Sequence, residues 1–219
     1  MLIGLCITRG PGVLVDADGA LIEGPGGEAL RCVEQGGLVV VGYDAEGPPA
    51  SGDASARANL ECVEDLRVYQ DLLPMQLGQA LEADAEAMKL LTVGGPRFER
   101  LLTLVAGCDE WEARAAEGGG DAEPARVERS GAGYLRSLRR RAQEAKGADA
   151  AQAAAAERVA TALAPLARRH LVVTTSGRTR VVLLVERERE AALRDAAAGA
   201  GAVLVGPFAP YSFVGLEGA

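Results

Sequence analysis

The sequence predicts an α+β protein with two domains. Short apolar runs and turn signals dominate the first 45 residues, helical spacing of apolar residues follows, and a second series of elements starts near residue 108. The order of that second series is strand, helix, strand, strand, helix, strand, which is the βαββαβ order of a ferredoxin-like domain, here with a long first helix. We therefore predict an N-terminal domain of mixed strands and helices over 1–107, and a ferredoxin-like domain with a C-terminal tail over 108–219. A chain of 219 residues is long enough to bury a core in each domain.

The N-terminal domain is predicted to begin with strands and turns. Leu2–Ile7 is a short apolar run. Asp18-Gly19 is a strong hairpin signal between Val13–Val15 and Ala20–Ile22. Leu38–Tyr43 is a continuous apolar run, which is typical of a buried strand.

A first helix and a short extended segment are predicted next. Asp53 or Ser55 can cap the helix. Its predicted apolar face consists of Leu60, Val63, Leu66 and Tyr69. Leu72–Leu77 is apolar but contains Pro74, so it is expected to form an edge strand or a loop.

Two further helices are predicted before residue 108. The stripe of the first consists of Leu81, Ala85, Met88 and Leu91. Pro96 suits the first turn of the second, since a proline there removes no helical hydrogen bond. The face of this second helix consists of Phe98, Leu101, Leu102 and Val105. Gly107 can end it.

The C-terminal domain is predicted to start with a half-buried strand, because polar and apolar residues alternate strictly over Glu110–Ala115. The remaining elements are, in order, a mostly helical stretch over Ser130–Arg169, paired strands at His170–Thr175 and Thr179–Val185, a helix at Glu188–Ala198 and a last strand at Ala202–Phe208.

Composition excludes several classes of function. The net charge is −8, whereas a nucleic-acid-binding protein needs clustered positive charge, so we expect no nucleic-acid partner. His170 is the single histidine, which excludes sites with two or three histidine ligands within one chain. Cys6, Cys32, Cys62 and Cys108 are far apart and form no C-x-x-C motif, so we expect reduced thiols in a cytoplasmic protein with no bound cofactor or metal.

One uncharged stretch has the length of a membrane span. It runs over 21 residues from Ala196 to Leu216. Several residues in it would break a spanning helix: Gly199, Gly201, Gly206, Pro207 and Pro210. We therefore expect no association with a membrane.

Two functional alternatives remain open from the residues alone. Val13–Leu21 resembles the first motif of haloacid-dehalogenase-type phosphatases, in which an aspartate in the position of Asp16 attacks phosphorus, one in the position of Asp18 moves a proton and Mg²⁺ offsets the charge. That motif has a threonine where this chain has Ala20, and a hairpin with an Asp-Gly turn also explains the segment. The other alternative is a small-molecule-binding regulatory module, since ferredoxin-like domains support many functions.

The C-terminal tail carries the most specific motif. Residues 206–213 read GPFAPYSF and gather three of the eight aromatic residues beside two prolines. The motif residues are Gly206, Pro207, Phe208, Pro210, Tyr211, Ser212 and Phe213. A stiff apolar segment of this kind either packs on the core or meets a partner, and we expect Phe208, Tyr211 and Phe213 to contribute to a binding surface or to hold the domains together.

Weaker motifs precede the tail in a consistent order. They comprise V-E-Q-G-G-L at Val33–Leu38, L-P-M-Q-L-G with Leu73, Pro74 and Gly78, the Glu110-Trp111 pair, a G-x-x-Y-L-x-x-x-R pattern with Tyr134, Leu135 and Arg139, and the strand Arg180–Val185. Together with the tail, similar to G-P-W-P-P-Y-S-F, they make the chain resemble gas vesicle proteins of the GvpF/GvpL type. Gln76, Leu77, Phe208 and Ala209 depart from the family pattern.

The resemblance implies a non-enzymatic role. Family members are minor components or assembly factors of gas vesicles, and they contact the small hydrophobic shell subunit and other accessory proteins. The family fold has two α+β domains with a ferredoxin-like C-terminal half. A chain with a restricted apolar surface and a net charge of −8 would stay soluble while it binds an apolar partner. The expected location is the cytoplasm, in association with gas vesicles.

Overall fold

The computed structural model describes residues 1–12, 14–16, 18–47, 53–76, 78–116, 150–175 and 178–215. Contacts divide the chain into two compact units: unit 1 is Met1–Glu110 together with Pro207–Ala219, and unit 2 is Trp111–Gly206. The sequence-based boundary lies close to the first division. The tail, however, groups with unit 1 rather than with the C-terminal domain to which the sequence analysis assigned it. The reason is that its apolar residues are buried in the core of unit 1.

A five-stranded sheet forms the centre of unit 1. Its strands are β1 (Leu2–Arg9), β2 (Leu30–Gln35), β3 (Leu38–Asp44), β4 (Leu72–Pro74) and β5 (Ala80–Leu81). The order is β2-β3-β1-β4, and β5 also pairs with β1. Strand β1 pairs antiparallel with β3, β4 and β5 and is buried along nearly its whole length, which explains its uninterrupted apolar sequence.

Strand β2 was not predicted from the sequence, because it carries polar residues on either side of Val33. It forms an antiparallel hairpin with β3 in which Gln35 pairs with Leu38, so only Gly36-Gly37 forms the turn. Both glycines have positive φ, at 63° and 82°. A two-residue turn with this backbone is strongly favoured by Gly-Gly, and this was the local signal for the hairpin.

Two helices, α1 (Asp53–Tyr69) and α2 (Asp84–Val105), pack on opposite faces of this sheet. Val39, Val41 and Tyr43 share a core cluster with α1 residues. Leu38 points to the other face, where Gly95 of α2 lies beside its side chain.

The predicted face of α1 is partly wrong. Val63 and Leu66 are buried as expected, but Leu60 and Tyr69 are exposed. The polar residue Asn59 is buried in their place, because its side chain accepts a hydrogen bond from the Tyr43 hydroxyl at 3.2 Å. A buried polar side chain with a partner cannot be distinguished from an exposed one by hydrophobic spacing.

Helix α2 is one continuous helix of 22 residues, so the prediction that Pro96 starts a new helix is wrong. Gly94 comes two residues before the proline, and a Cβ atom at this position would overlap the buried Phe98 ring. Gly95 has open space, with only the Leu38 side chain near an added Cβ, at 3.9 Å.

Unit 2 contains most of a four-stranded sheet whose order is β7-β8-β6-β9. Its elements are β6 (Cys108–Ala115), α3 (residues 150–163), β7 (Ala167–Thr175), β8 (Arg178–Glu186), α4 (Glu190–Gly199) and β9 (Ala202–Phe208). Residues of α3 and α4 share a buried cluster with Trp111. The Arg194 guanidinium lies 4.9 Å from the centre of the Trp111 ring.

The predicted helix over Ser130–Arg169 is too long at its C-terminal end. A short 3-10 turn at Ala164–Leu166 follows α3, and β7 begins at Ala167. Pro165 lies in that turn and cannot donate the hydrogen bond that would continue an α-helix. The part of the prediction that falls on residues 130–149 lies outside the described residues, and so do Tyr134, Leu135 and Arg139.

Candidate functional site

The C-terminal motif lies mainly in the core of unit 1. We call Pro207–Val214 the tail segment; it ends in a four-residue helix, α5 (Tyr211–Val214). Ala209 and Phe213 are fully buried, and Tyr211 is half-buried against the cluster that contains Cys6 and Leu66. Phe213 therefore has no side-chain surface to offer a partner in this conformation.

Two elements of unit 1 hold α5 through hydrogen bonds. Both oxygens of the Glu110 carboxylate accept hydrogen bonds from Ser212, one from its backbone N–H and one from its hydroxyl, each at 2.7 Å. Arg97 of α2 donates from Nη2 to the Val214 carbonyl oxygen at 2.7 Å. Ser212 therefore anchors the helix from its side chain and its backbone at once.

A buried ionic network lies on the N-terminal side of α5. Glu64 of α1 accepts a hydrogen bond from the Ala209 N–H through Oε1 at 2.8 Å, and its Oε2 accepts one from Arg67 Nε, also at 2.8 Å. The other branch of Arg67 binds Asp109 at 2.8 Å. The Arg67 side chain is only 12% exposed. Burial lowers the pKa of Arg67, but Glu64 and Asp109 together raise it by more than burial lowers it. The net shift in the pKa of Arg67 is therefore upward, and its charge is retained.

The Tyr211 hydroxyl is buried and has no hydrogen-bond partner among the described residues. Burial raises the pKa of this phenol, and the negative charges of Glu64 and Glu110 raise it as well. The hydroxyl is therefore a neutral, unpaired donor at neutral pH. An unpaired buried polar group destabilises the folded state rather than stabilising it.

Gly206, the first residue of the motif, has a φ of 136°, in a region that residues with a Cβ rarely adopt. This backbone conformation precedes Pro207, where the division into units assigns the chain to unit 1. The glycine and the proline of the motif thus have a conformational role at the start of the tail segment.

Four other motif residues, Leu73, Pro74, Gly78 and Trp111, lie at positions of packing or in a turn. Leu73 pairs with Ile7 in the sheet of unit 1, and Leu73 and Pro74 are both buried in β4. Gly78 lies in the turn before β5. Trp111 is buried in unit 2. These positions explain the motifs as packing and turn requirements.

The Asp16 segment forms the hairpin that the Asp-Gly signal predicts. Val15 and Leu21 form an antiparallel bridge, and the Asp16 carboxylate accepts hydrogen bonds from the backbone N–H groups of Asp18 and Ala20 at 2.9 and 2.8 Å. One oxygen of the carboxylate that would attack phosphorus, Oδ1, therefore accepts both hydrogen bonds of its own turn.

The described residues contain no cluster of three or more histidine, cysteine or acidic side chains that could hold a metal ion. None of the described helices combines the length and apolar character of a membrane span.

Sequence reasoning missed four polar residues that anchor the tail segment, Glu64, Arg67, Arg97 and Asp109, and it named Glu110 only as part of the Glu110-Trp111 motif, without its role. Only the pair Glu64 and Arg67 had a local signal, because residues three apart on a helix lie side by side. The others come from separate elements, and their contacts depend on the folded chain.

Comparison with protein families gives one decisive match. The family model described as gas vesicle synthesis protein GvpL/GvpF matches residues 5–215. The chain belongs to the GvpL/GvpF family. This match spans the tail motif as well as the earlier, weaker motifs. The family is a gas vesicle family rather than a known enzyme family.

Solved structures of GvpF have the same fold. The chain is similar to the crystal structure of GvpF from Anabaena sp. PCC7120, with a TM-score of 0.72 at 12% identity, covering 99% of this chain and 96% of that one. It is also similar to GvpF from Microcystis aeruginosa, with a TM-score of 0.67 at 14% identity, covering 98% and 99%. No curated protein sequence matches it significantly. The identities are low, so the structural likeness establishes the mixed α+β fold alone.

Proposed function

We propose that this chain is a non-enzymatic accessory or minor structural protein of gas vesicles, which binds the hydrophobic shell subunit and other accessory proteins during assembly. The observation that carries the proposal is the family match over residues 5–215. Its location in this proposal is the cytoplasm, in association with gas vesicles.

The domain organisation is part of the same proposal. We propose that the C-terminal half is a ferredoxin-like domain, as in the family fold. The strand order β7-β8-β6-β9 supports it, because in chain order within the domain these are the second, third, first and fourth strands. The observed order of helices and strands, βαββαβ, supports it as well.

The tail segment acts in this proposal by closing the core of unit 1 rather than by presenting its aromatic rings. Phe213 is fully buried, and the Ser212 backbone and hydroxyl are occupied by Glu110. Truncation of Tyr211 or Phe213 to alanine would therefore weaken partner binding indirectly, by loosening the unit that carries the binding surface.

An exposed apolar surface suited to the shell subunit lies on α2. A shallow groove of about 370 Å³ is lined by Leu81, Leu90 and Val93, with Glu86 and Lys89 beside them. Val93 is 76% exposed, the highest value among the large apolar residues that the structure describes. The side chains along the groove are mostly apolar, which suits a hydrophobic partner, and the two charges keep the free surface soluble.

Co-expression of the tagged chain with the shell subunit, followed by a pull-down, tests the proposal. We expect specific retention of the shell subunit, and we expect Val93→Asp to reduce it. Val68→Asp is the matched control, because Val68 is also an exposed valine on a helix of unit 1. The double variant Tyr211→Ala and Phe213→Ala should reduce retention only in proportion to its loss of folded protein, measured by circular dichroism.

The outcomes distinguish direct binding of the shell subunit from the use of the groove on α2 as its contact surface. If the folded wild-type chain retains no shell subunit, direct binding is excluded and the chain would have to act through other accessory proteins. If Val93→Asp and Val68→Asp behave alike, the groove on α2 is not the contact surface.

A further inference from the structure

Unit 2 contains a cavity of about 360 Å³ at one end of its sheet. Strands β6, β7, β8 and β9 and helix α3 all contribute to its wall. The polar residues that line it are Arg114, Arg180, Thr175, Thr179 and Gln152. Ala156 and Val203 supply apolar wall between them. A volume of this size suits a small metabolite.

The described wall is cationic. It includes two guanidinium groups and no acidic side chain. Both arginines bind the same carboxylate: Arg180 donates from Nη1 to Glu112 Oε2 at 2.9 Å, and Arg114 binds the other oxygen of Glu112. One carboxylate balances two guanidinium groups, so the three side chains keep a net charge of +1.

Arg180 also has an unused donor. Its Nε is buried and has no hydrogen-bond acceptor within the described part of the chain. Leaving such a donor unpaired costs stability, and an acceptor oxygen brought into the cavity could relieve that cost after a small rotation of the side chain. The rest of the side chain has room for this, because it is 40% exposed.

We propose that this cavity binds a small organic anion, with a carboxylate or a phosphate group held by Arg180 and Arg114. Guanidinium groups bind both kinds of oxyanion through paired hydrogen bonds. The Thr175 hydroxyl and the Gln152 amide would bind polar groups of the rest of the ligand, and Val203 would contact its carbon skeleton. This site lies wholly in unit 2 and does not depend on binding of the shell subunit.

Isothermal titration of the whole protein with citrate and, separately, with inorganic phosphate tests the site, with sodium chloride holding the ionic strength constant. We expect saturable binding at one site per chain by at least one probe. Arg180→Lys keeps the positive charge but replaces the planar guanidinium, with its Nε–H donor, by an ammonium group. We expect it to weaken binding about tenfold or more. Arg189→Lys is the matched control, because Arg189 is an exposed arginine of unit 2 outside the cavity wall.

A second variant keeps the test informative if Arg180→Lys does not fold. Arg114→Lys changes a half-exposed side chain and should weaken binding without unfolding the unit, which the fluorescence of the single tryptophan, Trp111, would report. Binding of citrate alone indicates a carboxylate ligand, and binding of phosphate alone indicates a phosphorylated one. No saturable binding of either probe up to about 10 mM would overturn the proposal. So would binding that Arg180→Lys and Arg114→Lys leave unchanged.

Discussion

Tyr211→Phe is expected to stabilise the protein, although the tyrosine belongs to the most specific motif of the chain. The hydroxyl is buried and has no partner among the described residues, so its removal abolishes a desolvation cost of about 1–3 kcal/mol while the ring keeps its packing. At the lower end of that range, the melting temperature of a chain of this size should rise by about 2–4 °C.

The same hydroxyl should make the stability of the wild-type protein depend on alkaline pH. Burial, with the negative charges of Glu64 and Glu110, raises the pKa of Tyr211 above its ordinary value of about 10. Below that value both folded and unfolded states keep the proton, so nothing is lost. Above it the unfolded state ionises first, and stability falls by up to about 1.4 kcal/mol per pH unit until the folded phenol ionises. Tyr211→Phe lacks this loss, so its advantage should grow with pH.

Urea denaturation followed by circular dichroism measures both effects, at about pH 8 and again at about pH 11. Tyr69→Phe is the control, because Tyr69 lies on the exposed side of α1. The reasoning is refuted if Tyr211→Phe is less stable than the wild type at the lower pH, or if the difference between them does not grow at the higher pH. The first result would mean that the hydroxyl has a hydrogen-bond partner in solution, and the second would mean that burial does not raise the pKa of this phenol in solution.

Three further perturbations probe other parts of the structure. Arg67→Met leaves two buried carboxylates without their cation and should lower the free energy of unfolding by about 3–5 kcal/mol, measured by urea denaturation. Gly94→Ala should destabilise the protein by about 1–3 kcal/mol through overlap with the neighbouring phenylalanine ring, whereas Gly95→Ala should stabilise it by up to about 1 kcal/mol, and melting temperatures should show the opposite signs. Arg194→Met should change the fluorescence of Trp111 and lower stability by about 0.5–1 kcal/mol, since it removes the cation over the ring.

Each of these expectations has a contrary result. Arg9→Met, which breaks an exposed pair with Glu99, is the control for Arg67→Met, and equal losses would show that burial adds nothing. Equal effects of the two glycine substitutions would mean that the helix absorbs the overlap by shifting. Unchanged emission in Arg194→Met would place the guanidinium away from the indole in solution.

Much of the fold followed from local patterns. The strand at Ala202–Phe208 was predicted with the bounds that the structure shows, because Gly201 precedes it and Pro210 follows. The strand at Glu110–Ala115 followed from strict alternation. The helix start predicted at Pro96 was wrong. A proline costs a helix one hydrogen bond, and the tertiary packing of α2 outweighs that local cost.

The candidate site was only half predictable. Its apolar and turn-forming residues form one contiguous motif, Gly206–Phe213, which the sequence displays directly. Its anchors, Glu64 and Glu110, are 145 and 102 residues away from the backbone groups that they bind. The residues next to a glutamate on a helix or a strand do not show whether its carboxylate is buried and paired or exposed to solvent.

The sequence by itself determined most of the strands, helices and turns, the family and the absence of excess positive charge, since all of these depend on neighbouring residues or on total composition. Only the tertiary structure decided that the tail packs with unit 1 and that Phe213 is buried. It alone placed Arg67 between two carboxylates and left the Tyr211 hydroxyl without a partner among the described residues. Burial and pairing of polar groups depend on which distant segments meet, and that is settled by the balance of desolvation and contact over the whole folded chain.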